Sequence, residues 1–500
     1  MTAFRDIPFG QPVPNSPHAV LCSIPKLTDV IGYEERRPEV VAAMKVGYPR
    51  FLINPLVAQA QLAAARELGL TNREVRLVQT KRLAAGMAQF VGQAAAEPTS
   101  WRGVWAVDFP KVQQPIARAK AFHQHVGAAI TSRQAEDILL ATGELTTRFA
   151  ETPFAGDPVS KIQANLAEAY GVANPAAILL TGSGMTAFFE VFQAVCDAQV
   201  HHRQRRRWLQ IGWQYVDTTE VLKKFLGPQE HYHFWPDAHD LAGLKKFFEQ
   251  YGAELAGVVA EFPTNPLLQA VDLPSLYVLC QKYGAVLMVD PTLASPRVVN
   301  VLPYSDVVFN SLTKYAGNQG DFMGGAVVFN PASKWTPELR GIVAANLAPH
   351  YPRDLRRLAT EIDGYAPLIE KATANATRLA QFLERHPAVK TVHWTGSAAA
   401  KKNFSQLARR PGQNGSVFSF VPRGDLAHFY DRVQVVKGPS FGVNFTLLCP
   451  FMYLAHYDLV STPEGREKLA GLGLDPALIR VSVGAEPYEQ IEVAFAEALK

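Results

Sequence analysis

Short apolar runs alternate with amphipathic stretches between about residue 155 and residue 330. The runs are rich in Val, Leu and Ile and do not alternate strictly with polar residues; they are AAILL, RWLQIG, AGVVAEF, AVLMVD, DVVFN and GGAVVF. Such runs are typical of strands in a parallel sheet that is covered on both faces. Between two of them, in TAFFEVFQAVCDA, Phe188, Phe192 and Val195 recur at helical spacing. The pattern predicts a three-layer α/β domain with a mostly parallel central sheet.

Two regions with other patterns flank this segment. At the front, a Pro-rich opening is followed by Ala-rich helical patterns such as LVAQAQLAAARELGL. Near the end, a long helical pattern, LRRLATEIDGYAPLIEKATANATRLAQFLERH, precedes short strands and helices. We therefore predict a largely helical N-terminal extension at residues 1–140, a large α/β domain at 141–350 and a smaller α+β C-terminal domain at 351–500.

Composition narrows the class of function. The chain has 49 Lys and Arg against 45 Asp and Glu, a net charge of +4 over 500 residues, so we do not expect a nucleic-acid partner. Its four cysteines, Cys22, Cys196, Cys280 and Cys449, lie far apart, which disfavours a disulfide scaffold and a zinc site, and we predict no metal. No apolar run approaches the roughly 20 residues of a membrane span. Because the first residues also lack a signal-peptide pattern, we expect no membrane partner and a cytoplasmic location.

Candidate chemistry lies where the predicted strands end. Lys314 follows the strand DVVFN, and burial there would lower its pKa and leave an amine able to form a Schiff base. The hydroxyls of Ser311 and Thr313 are placed to bind phosphate oxygens. Asp290 ends the strand AVLMVD, at the sheet edge where ligands bind, and can keep a pyridine nitrogen protonated. A surface lysine and a helix N-cap are the alternatives for Lys314 and Asp290.

A glycine-containing turn and an aromatic residue add to this picture. Gly182-Ser183-Gly184-Met185 lies between a strand and a helix, where backbone N–H groups point at an anion such as phosphate. The third glycine of a dinucleotide fingerprint is absent, because Ala187 stands in its place, and this disfavours a dinucleotide site. Tyr215 follows the strand RWLQIG and can either stack on a flat cofactor ring or pack as an ordinary aromatic.

Taken in order, these motifs resemble the pyridoxal-phosphate enzymes of cysteine and methionine metabolism. This family includes cystathionine γ-synthase, cystathionine lyases and methionine γ-lyase, and the resemblance covers about residues 140–500. The motifs of this chain are SGMTA, YVDTTEVL, EFPTNP, VDPTLASP, SLTKYAGNQGDFMGG, SFGVNFTLLCP and LIRVSVGAEP. They resemble the family's SGMAA, YGGTYRLF, ETPTNP, VDNTFATP, STKYLGGHSDVLGG, SLGGVESLIEHP and LIRLSVGLED. The resemblance implies an aspartate-aminotransferase-like fold (fold type I) and pyridoxal 5′-phosphate as the cofactor.

The resemblance also implies a role for each matching residue. These roles are phosphate binding by Gly184, Met185, Ser311 and Thr313, ring stacking and proton transfer by Tyr215, contact with the phenolic oxygen by Asn265, contact with the pyridine nitrogen by Asp290, the Schiff base and proton abstraction by Lys314, and substrate-carboxylate binding by Ser440 and Arg480. This chain departs from the family where Val216 and Asp217 replace two small residues and where Gln319 replaces a histidine.

The family's phosphate-binding Tyr-x-Arg, lent by a neighbouring subunit, has two candidates here. Arg148 lies at about the expected distance before SGMTA, with Thr146 in the place of the tyrosine. Tyr48-Pro49-Arg50 matches by residue type but lies far upstream. We favour Arg148, because GDPVSKIQANLAEAYG behind it resembles the family's NPTxxxLExxLAxLEG helix. For either arginine, an ordinary surface ion pair is the alternative.

The resemblance implies an enzyme that acts on a small amino acid, as a homodimer or homotetramer with shared active sites. The front segment HAVLCSIPKLTDVIGYEE and the GYPRF run after it are similar to long cystathionine γ-synthase-like proteins of fungi. We therefore expect γ-replacement, in which cysteine displaces the leaving group of an activated homoserine ester to give cystathionine. A γ- or β-lyase that eliminates without adding a thiol uses the same residues. A catalytically degenerate, cofactor-binding regulatory protein is the third alternative.

Overall fold

Helices and strands alternate through the middle of the chain as the pattern predicts. The computed structural model of the protein describes residues 7–152 and 154–500; residues 1–6 of the predicted extension, and Pro153, five residues after Arg148, lie outside the described residues. The helices are α1 (Leu27–Glu34), α2 (Pro38–Ala43), α3 (Pro55–Glu67), α4 (Lys81–Val91), α5 (Gln113–Val126), α6 (Ser132–Ala141), α7 (Pro158–Tyr170), α8 (Gly184–Val195), α9 (Val216–Lys224), α10 (Leu241–Tyr251), α11 (Leu273–Tyr283), α12 (Thr336–Asn346), α13 (Pro352–Glu361), α14 (Tyr365–Arg385), α15 (Ala398–Leu407), α16 (Leu426–Arg432), α17 (Phe451–Ala455), α18 (Tyr457–Val460), α19 (Pro463–Gly471) and α20 (Tyr488–Ala498). The strands are β1 (Arg73–Val78), β2 (Thr99–Trp101), β3 (Val104–Pro110), β4 (Leu179–Thr181), β5 (Arg207–Ile211), β6 (His231–Trp235), β7 (Leu255–Glu261), β8 (Val286–Asp290), β9 (Val307–Ser311), β10 (Gly325–Phe329), β11 (Val389–His393), β12 (Val417–Pro422), β13 (Val436–Lys437), β14 (Leu447–Pro450) and β15 (Ile479–Ser482).

The central sheet has seven strands in the order β4-β10-β9-β8-β7-β5-β6. Neighbouring strands from β9 to β6 are parallel, whereas β10 runs antiparallel to both β4 and β9. Alternate residues of the inner strands enter two different apolar clusters; Leu287 and Val289 pack on one face, and Val286 and Met288 pack on the other. The prediction of a mostly parallel sheet that is buried on both faces is therefore confirmed.

This topology brings the predicted site residues to one edge of the sheet. Because β4, β5, β7, β8 and β9 point the same way, their carboxyl ends lie side by side. The residues at or just after these ends are Gly184, Tyr215, Asn265, Asp290 and Lys314. A ligand at this edge is in the place where α/β sheets bind ligands.

The C-terminal part forms a second sheet, as predicted for a smaller α+β domain. Its five strands lie in the order β11-β12-β15-β14-β13, and they are antiparallel except for the β13–β14 pair. Helices α14, α16 and α20 pack on this sheet; the rings of Phe420 and Phe429, for example, meet edge to face at 5.2 Å. Arg480 lies in β15, paired with Cys449 of β14, so this sheet carries the predicted carboxylate-binding arginine.

The N-terminal part is helical for most of its regular structure, but it also contains a three-stranded antiparallel sheet, β1-β3-β2. We missed these strands because charged residues interrupt the apolar pattern of β1, REVRLV, in which Val75 and Leu77 face the core. The segment before α1 joins the other two parts. The N–H of Val20 donates to the carbonyl of Gly320, and the N–H of Ile24 donates to that of Lys437, both at 2.9 Å.

A search of the described residues finds no helix that is both long and apolar enough to cross a membrane.

Candidate active site

A pocket lies at the carboxyl edge of the central sheet. The central sheet, the C-terminal sheet and the N-terminal segment each supply part of its wall. Nine of the predicted residues line it, namely Gly184, Met185, Tyr215, Asn265, Asp290, Ser311, Lys314, Ser440 and Arg480. Tyr48, Arg50 and Phe51 of the N-terminal region also line it.

Lys314 lies in this pocket on the loop after β9. The residue is 9% exposed, its Nζ donates to Ser440 Oγ at 2.8 Å, and the same Nζ lies 4.8 Å from the centroid of the Tyr48 ring. Burial, with smaller effects from Arg480 and Arg50, holds the pKa of Lys314 well below its usual range. A lowered pKa favours the neutral amine, which is the form that attacks an aldehyde or takes up a proton.

The loop that carries Ser440 approaches the lysine loop closely. The N–H of Tyr315 donates to the carbonyl of Gly442 at 2.6 Å. Gly442 has φ +73°, and a Cβ added there would lie 2.8 Å from the nitrogen of Tyr315. Glycine is therefore required for Ser440 to reach Lys314.

Two carboxyl groups, Asp290 and Glu261, end the neighbouring strands β8 and β7 and are paired in register. Asp290 Oδ1 accepts hydrogen bonds from the N–H of Thr292 at 2.8 Å and from its hydroxyl. Burial raises the pKa of Asp290 to about 6. Burial and the charge of Asp290 raise the pKa of Glu261 well above its usual range. Asp290 therefore carries the negative charge of the pair at neutral pH, as a partner for a protonated ring nitrogen must.

The turn before α8 provides the candidate phosphate cradle. Ser183 caps the helix by accepting the N–H of Thr186 at 3.0 Å, so free N–H groups of the first turn face outward at Gly184 and Met185. A Cβ at Gly184 would lie 2.7 Å from Cβ of Ser311. Because Gly184 has no side chain, the N-terminus of α8 can lie directly against Ser311 at the end of β9.

Tyr215 precedes α9 and is held from the N-terminal region. Arg50 Nη2 donates to the Tyr215 hydroxyl at 2.5 Å, and Arg50 Nη1 donates to Asp217 Oδ2 at 2.6 Å. Glu261 Oε1 accepts the backbone N–H of Tyr215, also at 2.5 Å. Burial raises the pKa of Tyr215 well above its usual range, and Arg50 opposes that rise. The ring is therefore held in the pocket as a neutral phenol.

Arg480 presents its guanidinium between polar and aromatic neighbours. Nη1 donates to Asn265 Oδ1 at 3.2 Å, and Nη2 donates to the carbonyl of Ser440 at 3.1 Å. The rings of Phe441 and Phe451 lie 5.2 and 4.8 Å from its Cζ. These contacts fix a planar fork that suits a carboxylate.

The rest of the wall beside Arg480 is largely apolar. It consists of Phe441, Phe451, Leu454 and Ala455, with the buried thiol of Cys449 next to them. The sequence motifs did not identify this wall, because a ring or an aliphatic side chain has the same signature in a pocket as in a core.

Two predicted site residues lie outside the pocket lining. Thr313 accepts the N–H of Gly324 at 3.1 Å and is buried in the wall. Arg148 has a side chain that is 55% exposed, and it donates to Asp137 at 2.6 Å. The structure brings Arg50, and not the favoured Arg148, into the pocket of its own chain. Arg50 lies far upstream in the sequence, but the N-terminal segment that carries it folds back against the pocket. Roles for Thr313 and Arg148 at a phosphate stay predictions.

The residues present fit pyridoxal phosphate. One cavity is surrounded by a buried lysine with a lowered pKa, a carboxylate at the end of the adjacent strand, a tyrosine ring and an open helix N-terminus. Arg50 Nε is buried and has no hydrogen-bond partner among the described residues, so one further donor is available. Across residues 7–152 and 154–500 no group of His, Cys, Asp and Glu side chains is arranged to hold a metal.

Comparisons with known proteins agree with this geometry. The sequence model described as "Cys/Met metabolism PLP-dependent enzyme" matches residues 108–500. A relative named L-2-amino-4-chloropent-4-enoate dechlorinase/desaturase, from Streptantibioticus cattleyicolor, is 39% identical over 98% of this chain and 97% of its own. Cystathionine gamma-synthase of Neurospora crassa is 27% identical over 98% of each chain. The crystal structure of cystathionine gamma synthase from Xanthomonas oryzae pv. oryzae with cystathionine has a TM-score of 0.57 and 25% identity, over 71% of this chain and 91% of that one.

The chain therefore belongs to the Cys/Met metabolism family of pyridoxal-phosphate-dependent enzymes. The expected family, enzyme class, cofactor and fold type are confirmed. The two relatives match almost the whole chain, whereas the solved structure corresponds to 71% of it. The chain thus shares its extra length with those two relatives.

Proposed function

We propose that this family member catalyses γ-elimination, in which an L-α-amino acid loses a leaving group from Cγ together with a proton. One observation carries the proposal. Among the described residues that line the pocket, the basic side chains are Arg50, Lys314 and Arg480. Arg50 is hydrogen-bonded to Asp217 and Tyr215, Lys314, whose pKa burial lowers, would hold the cofactor, and Arg480 suits one carboxylate. A second amino acid such as cysteine would bring a second carboxylate with no cation left to bind it.

The proposed cofactor site uses residues from four strand ends and a helix. Lys314 would hold the cofactor covalently, and Asp290 would contact its ring nitrogen. Tyr215 would stack on the ring, and the turn at Gly184 with Ser311 would hold the phosphate. When bound, pyridoxal phosphate supplies an electron-poor ring that takes up charge from the carbons of the substrate.

The residues of the chain would then bind the substrate and move its protons. Arg480 and Ser440 hold the α-carboxylate, and Asn265 fixes the Arg480 fork. Lys314, freed by the substrate amine, takes the Cα proton and later the Cβ proton. The neutral Tyr215 hydroxyl donates its proton to the substrate amine and takes it back. The wall of Phe441, Phe451 and Leu454 excludes water from Cγ while the leaving group departs.

The name of one relative supports the position of the bond that breaks. In L-2-amino-4-chloropent-4-enoate, C2 is Cα, so the chlorine is on Cγ. An uncharged side chain of this kind suits the apolar wall beside Arg480. We therefore propose a γ-halogenated or similarly uncharged amino acid as the substrate class.

The test is a product assay on two γ-substituted amino acids, the chlorinated one named above and an activated homoserine ester. We expect release of the leaving group at a rate that does not depend on added cysteine. The matched control is Lys314→Ala, which should release none. Release that requires cysteine, with cystathionine as the product, would contradict γ-elimination.

γ-Replacement by cysteine is the second candidate. It is supported by the cystathionine gamma-synthase of Neurospora crassa, which is similar over nearly the whole chain, and by the solved Xanthomonas oryzae structure. The same assay decides between the two, because cystathionine appears only if a thiol adds at Cγ.

A further inference from the structure

A buried carboxylate lies behind the pocket where the family resemblance leads us to expect a small residue. Asp217 is in the first turn of α9, two residues after Tyr215, and its side chain is fully buried. The helix N-terminus favours an acidic residue there, but a surface position would satisfy that preference without burial. A buried charge is costly unless partners surround it.

Three side chains of the N-terminal region bind the Asp217 carboxylate. Arg50 Nη1 donates to Oδ2 at 2.6 Å, Gln124 Nε2 donates to Oδ1 at 2.8 Å, and His125 Nδ1 lies 3.1 Å from Oδ1. Burial raises the pKa of Asp217, but Arg50 and the bonds from His125 and Gln124 outweigh that effect and lower the pKa to about 2. Asp217 is therefore ionised throughout the working range of pH.

His125 extends this set of contacts to the other end of the same helix. Its Nε2 lies 3.1 Å from Nζ of Lys224, the last residue of α9. Since a lysine ammonium only donates, Nε2 accepts and Nδ1 carries the proton toward Asp217. The end of α5 and both ends of α9 are thereby joined around one carboxylate.

Arg50 links Asp217 to the pocket. Its guanidinium is planar, so fixing one arm on Asp217 fixes the direction of the other. That other arm donates to the Tyr215 hydroxyl. The hydroxyl oxygen thus accepts from Arg50, and Asp217, which also hydrogen-bonds this hydroxyl, raises the pKa of Tyr215.

We propose that Asp217, held by His125 and Gln124, is a positioning residue that aligns the Arg50 fork on the Tyr215 hydroxyl. Its contribution to turnover rests on the proposed function, in which Tyr215 moves the proton of the substrate amine. Its effect on Tyr215 itself does not depend on any substrate.

Several charged or titratable groups face Tyr215 and bear on the test. Arg50, Asp217 and Tyr48 act on its hydroxyl, and Glu261 binds its backbone N–H. Asp290, Lys314 and Arg480 line the rest of the pocket, and His125 and Lys224 lie behind Asp217. Asp217→Asn changes the charge of one group in this set and keeps its size.

The experiment follows Tyr215 in the full-length holoenzyme labelled with 3-fluorotyrosine. The ¹⁹F resonance that is lost in Tyr215→Phe identifies the residue. In Asp217→Asn we expect this resonance to shift and to titrate at lower pH than in the wild type, because the charge of Arg50 is no longer neutralised. We expect kcat to fall about 10- to 100-fold, with a smaller change in KM and a displaced pH–rate profile.

A surface pair provides the matched control. Asp197 lies 3.1 Å from His201, the same distance as Asp217 from His125, but both side chains are about half exposed or more. Asp197→Asn should leave the Tyr215 resonance and kcat unchanged. His125→Asn, which keeps a donor for Asp217, should lie nearer the wild type than His125→Leu.

The proposal is overturned if Asp217→Asn lowers the melting temperature but leaves the Tyr215 resonance and the pH–rate profile unchanged. Asp217 would then have a structural role only. If the wild type releases no γ-substituent at all, the proposed function fails on its own. The fluorine comparison then still decides whether Asp217 positions Arg50 and Tyr215.

Discussion

The α/β domain and the N-terminal region contribute to the same pocket by different means. In the α/β domain, parallel strands end at one sheet edge and place Asp290 and Lys314 there by topology. In the N-terminal region, Tyr48 and Arg50 lie in an irregular segment between α2 and α3, and only docking against α9 brings them to the site. One side of the pocket is built by the order of strands, and the other by contacts between distant parts of the chain.

The difference shows in how each residue is held. Asp290 ends β8 and Lys314 follows β9 by three residues, so the backbone hydrogen bonds of one sheet largely set where the two residues lie. Arg50 is held by side-chain contacts with Asp217 and Tyr215 and by the carbonyl of Gln124. When one partner of such a contact is removed, the other charged group is left buried and uncompensated. We therefore expect substitutions in the two regions to have different signatures.

The largest effect is expected at Lys314. Lys314→Ala removes the amine that we propose holds the cofactor and takes the Cα proton, so turnover should fall by at least about 10⁴-fold while folding is kept. Borohydride reduction of the wild type followed by peptide mass spectrometry should place the cofactor on Lys314. Lys334→Ala, at a lysine outside the pocket, is the control and should keep both properties. Cofactor found on another lysine would refute the assignment.

A smaller effect, on both the free energy of unfolding and kcat, is expected at Arg50. Arg50→Ala leaves Asp217 buried without its main partner, which should cost about 3–5 kcal/mol of the free energy of unfolding and should also lower kcat. The double variant Arg50→Leu with Asp217→Asn should recover much of the stability and little of the activity. Urea unfolding and turnover, measured on the same preparations, check both. Full recovery of activity in the double variant would show that Arg50 acts only in folding.

Acid should weaken the N-terminal region through its buried histidines. Burial lowers the pKa of His18 and of His123 from the ordinary 6.5 to about 4. Between these values the unfolded chain binds protons that the folded chain does not, so stability falls as pH falls from about 6.5 toward 4. The loss is on the order of 3 kcal/mol for each histidine at the acid end of this window.

His123→Gln tests this pH dependence. His123 Nε2 lies 3.0 Å from the carbonyl of Pro49, next to Arg50, and a glutamine amide keeps a donor for that carbonyl without titrating. The free energy of unfolding should therefore fall less in His123→Gln than in the wild type between about pH 7 and about pH 5. His201→Gln, at an exposed histidine, should behave as the wild type. An equal fall in all three proteins would mean that other groups are responsible.

The smallest effect is expected at Arg148. Its ion pair with Asp137 is exposed, and such pairs contribute about 0–1 kcal/mol. Arg148→Ala should therefore leave the free energy of unfolding nearly unchanged, as urea unfolding can check. A large loss of retained cofactor in this variant would support our prediction that Arg148 reaches a neighbouring subunit's phosphate.

The same contrast explains how much the sequence could predict. The strands β5, β7, β8 and β9, and the residues at their ends, were predictable because apolar runs and the motifs after them are local features of the sequence. β1 was missed because its charged residues hide the two inward-facing side chains. Arg50 was ranked second to Arg148, and the partners of Asp217 were not predicted at all. Gln124 and His125 lie at the end of a helix with no motif, and only the docked fold shows that they meet Asp217.

Mixing two impaired variants tests most directly whether one chain supplies both sides of its own pocket. Chains carrying Lys314→Ala and chains carrying Arg50→Ala, with different tags, are coexpressed and purified through both tags, and turnover is compared with that of each variant alone. If Arg50 serves the Lys314 of its own chain, as the contacts with Asp217 and Tyr215 indicate, no mixed particle contains an intact site, and activity is not restored. Restoration of activity in the mixture would show that Arg50 is lent to a neighbouring chain and would contradict this account.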